Sequence, residues 1–444
     1  MFGRCYIMNS GNKLYQRAKQ IIPGAVQLLS KRAELLCPGQ WPAYFSKAKG
    51  IDVWDLDNQR FKDMLFIVGT NVLGYCDRDV NRAVIDAIRK GNMTSLNSPE
   101  EVELAEKLLS LHPWAGGVRF AKGGNEAMQI AVRIARAYTG RDAIAVGGYF
   151  GHGDFYLAVN LLDSTGLDEH LLPGLLPAGV PQGLRGTAIP FRYNDIESLE
   201  KIAKIHKFGA ILIEPIRHHN PNPGFLKRVQ EIAKETGAVL IVDEITTGFR
   251  KTIGGVHTSL GLQPDVVCYS KAISNGYPLS VVIGRQEIMD VCQDKTFLSS
   301  TSWSDRLGFV AGLATIDKLQ RKNVPAHLCK IGKKVAKGWK KCAEKHNLAV
   351  NVHADFEPIP CFEFGGEQNL ALNTLFVQEM LARGYLSAPK GCYVSYAHKS
   401  KDVDDYLVAV DEVFGIISEA IREGTVMKKL KGPVAHDGFR RLTT

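Results

Sequence analysis

At 444 residues, with 45% apolar and 23% charged side chains, the chain has ordinary globular composition and room for roughly two or three domains. No stretch approaches the ~18 consecutive apolar residues of a membrane span, and the polar opening "MFGRCYIMNSGNKLYQRAKQ" lacks a signal-peptide core. Nine cysteines are scattered without a CxxC pair, and the histidines show no metal-ligand spacing; this argues against a disulfide scaffold or metal site and for a reduced, cytoplasmic protein.

The first 60 or so residues carry no strand–helix alternation and are assigned to a small domain shared with the C-terminus. From about residue 61 to 322, short apolar runs alternate with helical patterns. Strands are predicted at 118–120, 143–146, 187–191, 210–215, 238–244, 266–271 and 280–284, and helices at about 125–139, 195–205, 225–236 and 304–320. Near-continuous apolar strands between helices imply an α/β domain with a mostly parallel central sheet.

From 323 to 444 the pattern turns to long helices with a few strands, including "CYVSYA" at 392–397, the remainder of a smaller α+β domain. There Leu328, Ile331, Val335, Trp339 and Cys342 recur at helical spacing under a lysine-rich outer face. The net charge of +9 is concentrated in this helix and in the basic tail "MKKLKGPVAHDGFRRLTT". No aromatic residues interleave the lysines, so a solvated face is read and a nucleic-acid partner is not.

Ligands of open α/β sheets sit at the carboxyl ends of strands. Here "VLIVDE" ends in Asp243 and Glu244, "VVCYSK" in Lys271 and "AILIEP" in Glu214, and "GGYFGHGD" follows a fourth strand. After a fifth, "AKGGNEAMQ" runs glycines into a helix start, which offers unpaired N–H groups to a phosphate. A carboxylate buried at a strand end requires a cation. A lysine, a buried aspartate, a phosphate cradle and an aromatic residue at neighbouring strand ends are what pyridoxal 5′-phosphate requires. A nicotinamide-dependent oxidoreductase is excluded for want of a GxGxxG turn.

These motifs, together with "GIDVWDLDNQRFKDM", "IVDEITTGFR", "PDVVCYSKAISNGYPLS" and "SSTSW", run through nearly the whole chain. It resembles the class III, fold type I pyridoxal-phosphate-dependent aminotransferases, closest to the glutamate-1-semialdehyde 2,1-aminomutase group. The resemblance implies that Lys271 carries the cofactor as a Schiff base and shuttles the proton. It implies that Asp243 pairs with the pyridinium, that Ile245 packs on one ring face, and that Tyr149 stacks on the other. Gly124 and Asn125 would bind the phosphate, and Ser300 and Thr301 would reach the phosphate of a neighbouring subunit, which implies a homodimer with shared sites.

The chain also departs from the family. "GGNEA" replaces Ser-Gly-Thr-Glu-Ala, with Asn125 expected to serve as cap and phosphate donor in place of threonine. Phe150 replaces a histidine, and "AISNGYP" and "EPIRHHNPNPGF" replace aminomutase-like stretches. Arg217 and Arg32 are candidates for a substrate carboxylate, and His152 for a substrate contact. Glu126, Glu214, Glu244 and Arg250 are read as structural partners. Because the departures cluster around the substrate, an aminotransferase joining an amino-acid donor to an oxo acceptor through pyridoxamine phosphate is expected. An aminomutase is the alternative, and a non-catalytic binding protein is disfavoured by the retained lysine.

Overall fold

A computed structural model describes residues 9–170, 174–216 and 219–437. The chain divides into two compact units. The larger comprises Val68–Asn71 and Arg78–Ala326, the smaller residues up to Ile67, Val72–Asp77 and the chain from His327.

The larger unit is built on seven strands: β1 (Gly117–Ala121), β2 (Ile144–Gly147), β3 (Ala188–Pro190), β4 (Ala210–Ile213), β5 (Val239–Asp243), β6 (Val266–Tyr269) and β7 (Ser280–Gly284). Their order is β1-β7-β6-β5-β4-β2-β3. Only β7 runs antiparallel to its neighbours, and β6, β5, β4, β2 and β3 pair in parallel. The sheet is thus mostly parallel, as the apolar runs predict. β2, β4, β5, β6 and β7 are buried at every position, because helices cover both faces of such a sheet.

Four helices of this unit fall where the spacing places them: α1 (Gly124–Thr139), α2 (Ile196–Ala203), α3 (Phe225–Thr236) and α4 (Arg306–Arg321). In α1, Ala127, Met128, Ile130, Ala131, Ile134 and Ala135 form the buried stripe. Gly140, at φ 68°, closes the helix in the left-handed conformation that glycine adopts without strain.

The smaller unit holds a four-stranded sheet (Phe45–Lys49, Asp52–Asp55, Arg60–Asp63, Tyr385–Leu386), the hairpin Val350–His353/Cys361–Phe364 and the helices Asn369–Ala382 and Ser400–Arg422. Phe362 is its hub, meeting Trp339, Phe376 and Phe414 edge-on at 4.9, 5.2 and 5.7 Å. The lysine-rich helix buries Leu328, Ile331, Val335 and Trp339 as expected. Its outer Lys333, Lys334 and Lys345 pair with Glu357, Asp404 and Asp411.

The strand expected at 392–397 does not form. Its N–H groups divide among three stretches: Cys392 and Val394 donate to the carbonyls of Pro360 and Pro358 on one neighbour, Tyr393 to Leu65 and Tyr396 to Val72. Alternating side chains suit such an extended segment, but Pro358 and Pro360 have no N–H to donate back, so the pairing stays one-sided and no ladder forms. Among the described residues, no helix is long and apolar enough to cross a membrane.

Ile241, at the centre of β5 and fully buried in the large core, reports on this packing. Ile241→Ala is expected to lower unfolding stability by about 2–5 kcal/mol, read as a shifted denaturation midpoint. A loss below about 1 kcal/mol would contradict the packing described.

Candidate functional site

Parallel strands place β2, β4, β5 and β6 with their carboxyl ends at one edge of the sheet, and the register sets Asp243 of β5 opposite Cys268 of β6. Asp243 is only 6% exposed. Its Oδ1 accepts the Ile245 N–H at 2.7 Å, which folds the chain sharply after the strand. Burial pushes the carboxyl well above its ordinary range, and the nearby Glu214 charge adds to this, against the Ile245 N–H and the Lys271 amine.

Lys271 lies two residues past β6, not at its last position. It opens a one-turn helix, Lys271–Ser274, at φ 48°. A non-glycine residue in that region stores about 1–3 kcal/mol of strain, and such strain is concentrated at functional sites. Its Nζ donates to the Thr246 hydroxyl at 2.7 Å. Burial lowers the amine to about 8, with the Asp243 charge opposing and the Arg250 charge assisting that shift. Thr246 was not singled out from the sequence. Its only signal is its place three residues after Asp243 in the same turn.

The second carboxylate, Glu244, is fully buried and turned to other work. One oxygen accepts the His257 N–H at 2.7 Å and faces His257 Nδ1 at 3.0 Å; the other accepts the Thr247 hydroxyl. His257 stacks on His112 at 5.9 Å, whose Nε2 lies 2.8 Å from the Tyr269 hydroxyl. Arg250 donates to the carbonyls of Thr246 and Gly69. Glu244 and Arg250 therefore brace the turn, the structural role expected of them.

α1 begins at Gly124, with Gly123 as its cap. The Glu126 carboxylate accepts the N–H groups of Lys122 and Gly123, each at 2.9 Å. A Cβ on Gly124 would come within 3.0 Å of Ile245, so the helix start and the turn after Asp243 are in contact. Asn125 corrects the expectation made of it. It lies inside the helix and is not its cap, and its Oδ1 accepts the N–H groups of His152 and Gly153 at 2.9 and 2.7 Å.

Tyr149 is 41% exposed and Phe150 1%. The Tyr149 N–H donates to Glu214 Oε2 at 3.0 Å. Phe150 packs edge-on to Tyr156 within the core. His152 is exposed, as are Ser300 and Thr301. The latter two open a short turn tied to α1 by the Trp303 indole, which donates to Glu126 at 3.3 Å. Arg32 is half-buried in the smaller unit, and Arg217 lies outside the described residues. Among the described residues no acidic, histidine and cysteine cluster is arranged for a metal.

Chemically, this edge offers a buried carboxylate suited to a ring cation, a buried amine suited to an aldehyde, and a helix start suited to a phosphate. The profile of the class-III aminotransferases matches residues 38–392. A 3-aminobutyryl-CoA aminotransferase of Cloacimonas acidaminovorans is 32% identical over 412 residues, 90% of this chain and 95% of its own. A glutamate-1-semialdehyde 2,1-aminomutase of Syntrophobacter fumaroxidans is 32% identical over 432 residues, 92% of this chain and 98% of its own. The solved pyridoxal-phosphate internal aldimine form of Sphingopyxis sp. MTA144 FumI protein matches with a TM-score of 0.83 at 26% identity. That match covers 93% of this chain and 97% of the other.

In the cofactor-free protein, Lys271 is expected to titrate near 8, against about 10.4 for a free lysine. The pH dependence of its acylation, followed on its own peptide, measures this. A midpoint above about 10 would contradict the burial described.

Proposed function

The chain belongs to the class-III aminotransferase family, and from that premise we propose that it moves an amino group from an amino-acid donor to an aldehyde, ketone or keto-sugar acceptor. It is an enzyme of the fold type I transferases, and its cofactor is pyridoxal 5′-phosphate. The observation that carries the reading is the buried Asp243 beside the strand that leads to Lys271.

Bound, the cofactor supplies an aldehyde that takes up an amine and a protonated ring that draws electrons from a breaking C–H bond. The residues of this chain do the rest. Asp243 keeps the proton on the ring nitrogen, since a buried carboxylate ionises readily only against a cation. Lys271 holds the cofactor and then, as a free amine of lowered pKa, moves the proton between substrate carbon and cofactor carbon. Thr246 fixes the direction of that amine. The N–H groups at the start of α1 bind the phosphate, Ile245 covers one ring face, and Tyr149 stacks on the other. Ser300 and Thr301, both exposed, complete the phosphate site of a second copy, so the active form is a homodimer.

Transfer is favoured over an aminomutase because the chain departs from aminomutase-like stretches at Arg217 and "AISNGYP". Arg217 is the proposed clamp for the donor carboxylate, which a planar guanidinium grips with two hydrogen bonds; His152 and Arg32 are weaker candidates for substrate contact. Loaded protein mixed with glutamate or another donor is expected to lose its visible cofactor band and release one 2-oxo acid per site. Isomerisation of an amino-aldehyde without any donor, with every ordinary amino acid inert, would establish an aminomutase instead.

Asp243→Asn keeps the shape and removes the charge. Loss of a charge-assisted hydrogen bond of about 1.5–3 kcal/mol should slow proton abstraction roughly ten- to a hundredfold, measured in a single turnover. A rate within a factor of two of wild type would assign the task to another group.

A further inference from the structure

We propose that Asn125 is a latch whose side-chain carbonyl ties the loop at 148–153 to the first turn of α1 and thereby positions Tyr149. The inference rests on the proposed cofactor site for its function and on the geometry of the protein for its existence.

Two backbone donors converge on one atom: His152 and Gly153 donate to Asn125 Oδ1 at 2.9 and 2.7 Å. That pair fixes the amide orientation, because the NH2 group cannot face two N–H groups. The carbonyl is committed to the loop. A threonine, the residue usual in the family, carries its oxygen one bond nearer the backbone and has a shorter reach.

The loop is shaped to receive this side chain. Gly151 sits at φ 97°, and a Cβ there would lie 2.5 Å from Asn125 Oδ1. A Cβ on Gly153 would lie 3.1 Å from the same oxygen and 2.9 Å from the Phe155 ring. At the other end, Glu214 Oε2 accepts the Tyr149 N–H, and a Cβ on Gly148 would come within 2.7 Å of that oxygen.

A glycine-rich segment is thus pinned at both ends by side-chain acceptors from two different elements. Between the pins, the neighbouring rings divide: Phe150 anchors inward, and Tyr149 is presented outward. Glycine gives the loop its close approach and also its freedom. The pins remove that freedom, which is what an aromatic platform requires to meet a ring at one fixed place.

Hydrogen exchange of the cofactor-free protein tests the latch directly. Asn125→Ala is expected to speed exchange at the His152 and Gly153 amides about tenfold or more, leaving amides deeper in α1 unchanged. Asn125→Asp, which keeps an acceptor, should restore protection. In the loaded enzyme, single-turnover rates of Asn125→Ala, Tyr149→Ala and the double variant form a cycle. If Asn125 acts through Tyr149, its replacement costs little once Tyr149 is gone. Unchanged exchange at 152 and 153, or strictly additive effects in the cycle, would overturn the latch. Wild-type protein that takes up no cofactor would refute the cofactor site, while the exchange measurement would still decide the latch.

Discussion

The site depends on one unfavourable act: the burial of the Asp243 carboxylate at the end of an apolar strand. A lone ionised carboxylate in such a place costs several kcal/mol, and the chain meets that cost only in part. The Ile245 N–H and the Lys271 charge pull the proton off, while burial and Glu214 hold it on. A carboxyl left in that balance is suited to pairing with a further cation, as we propose for the ring nitrogen of the cofactor. The same edge carries a second tension in Lys271, with its left-handed backbone and its lowered pKa. Both strains lie at or just past the ends of neighbouring parallel strands, where a rigid sheet can hold them.

Rigidity behind the site comes from the polar network around Glu244. That carboxylate follows Asp243 in sequence, but alternation along a strand end turns it the other way, into contact with His257 and Thr247. The two carboxylates of one Asp-Glu pair thus have different surroundings: the glutamate braces the turn, and the aspartate, beside Lys271 and Glu214, is the one we propose for the cofactor. Arg250 extends the brace to the Gly69 carbonyl.

Much of this was legible in the sequence because buried parallel strands write themselves as unbroken apolar runs. Val239–Asp243 and Val266–Tyr269 were readable that way, and so were the polar residues that follow them. The segment at 392–397 was not, because alternation records which side chains are buried and not which backbone partners lie alongside. The cap expected of Asn125 fails for a related reason: residue type gives hydrogen-bonding capacity, but not direction. Thr246 and His257 were missed since each acquires its meaning only from a distant partner, Lys271 and Glu244 respectively. Relatives named as aminotransferase and as aminomutase stand at the same 32% identity, so overall likeness does not choose between the two reactions.

The central claim is that Lys271 is the residue that holds pyridoxal phosphate. Reduction of the loaded protein with borohydride, followed by peptide mapping, tests it most directly. The account predicts a single cofactor-bearing peptide containing Lys271 and none in Lys271→Ala. Attachment to another lysine, or an unchanged visible band in Lys271→Ala, would contradict it.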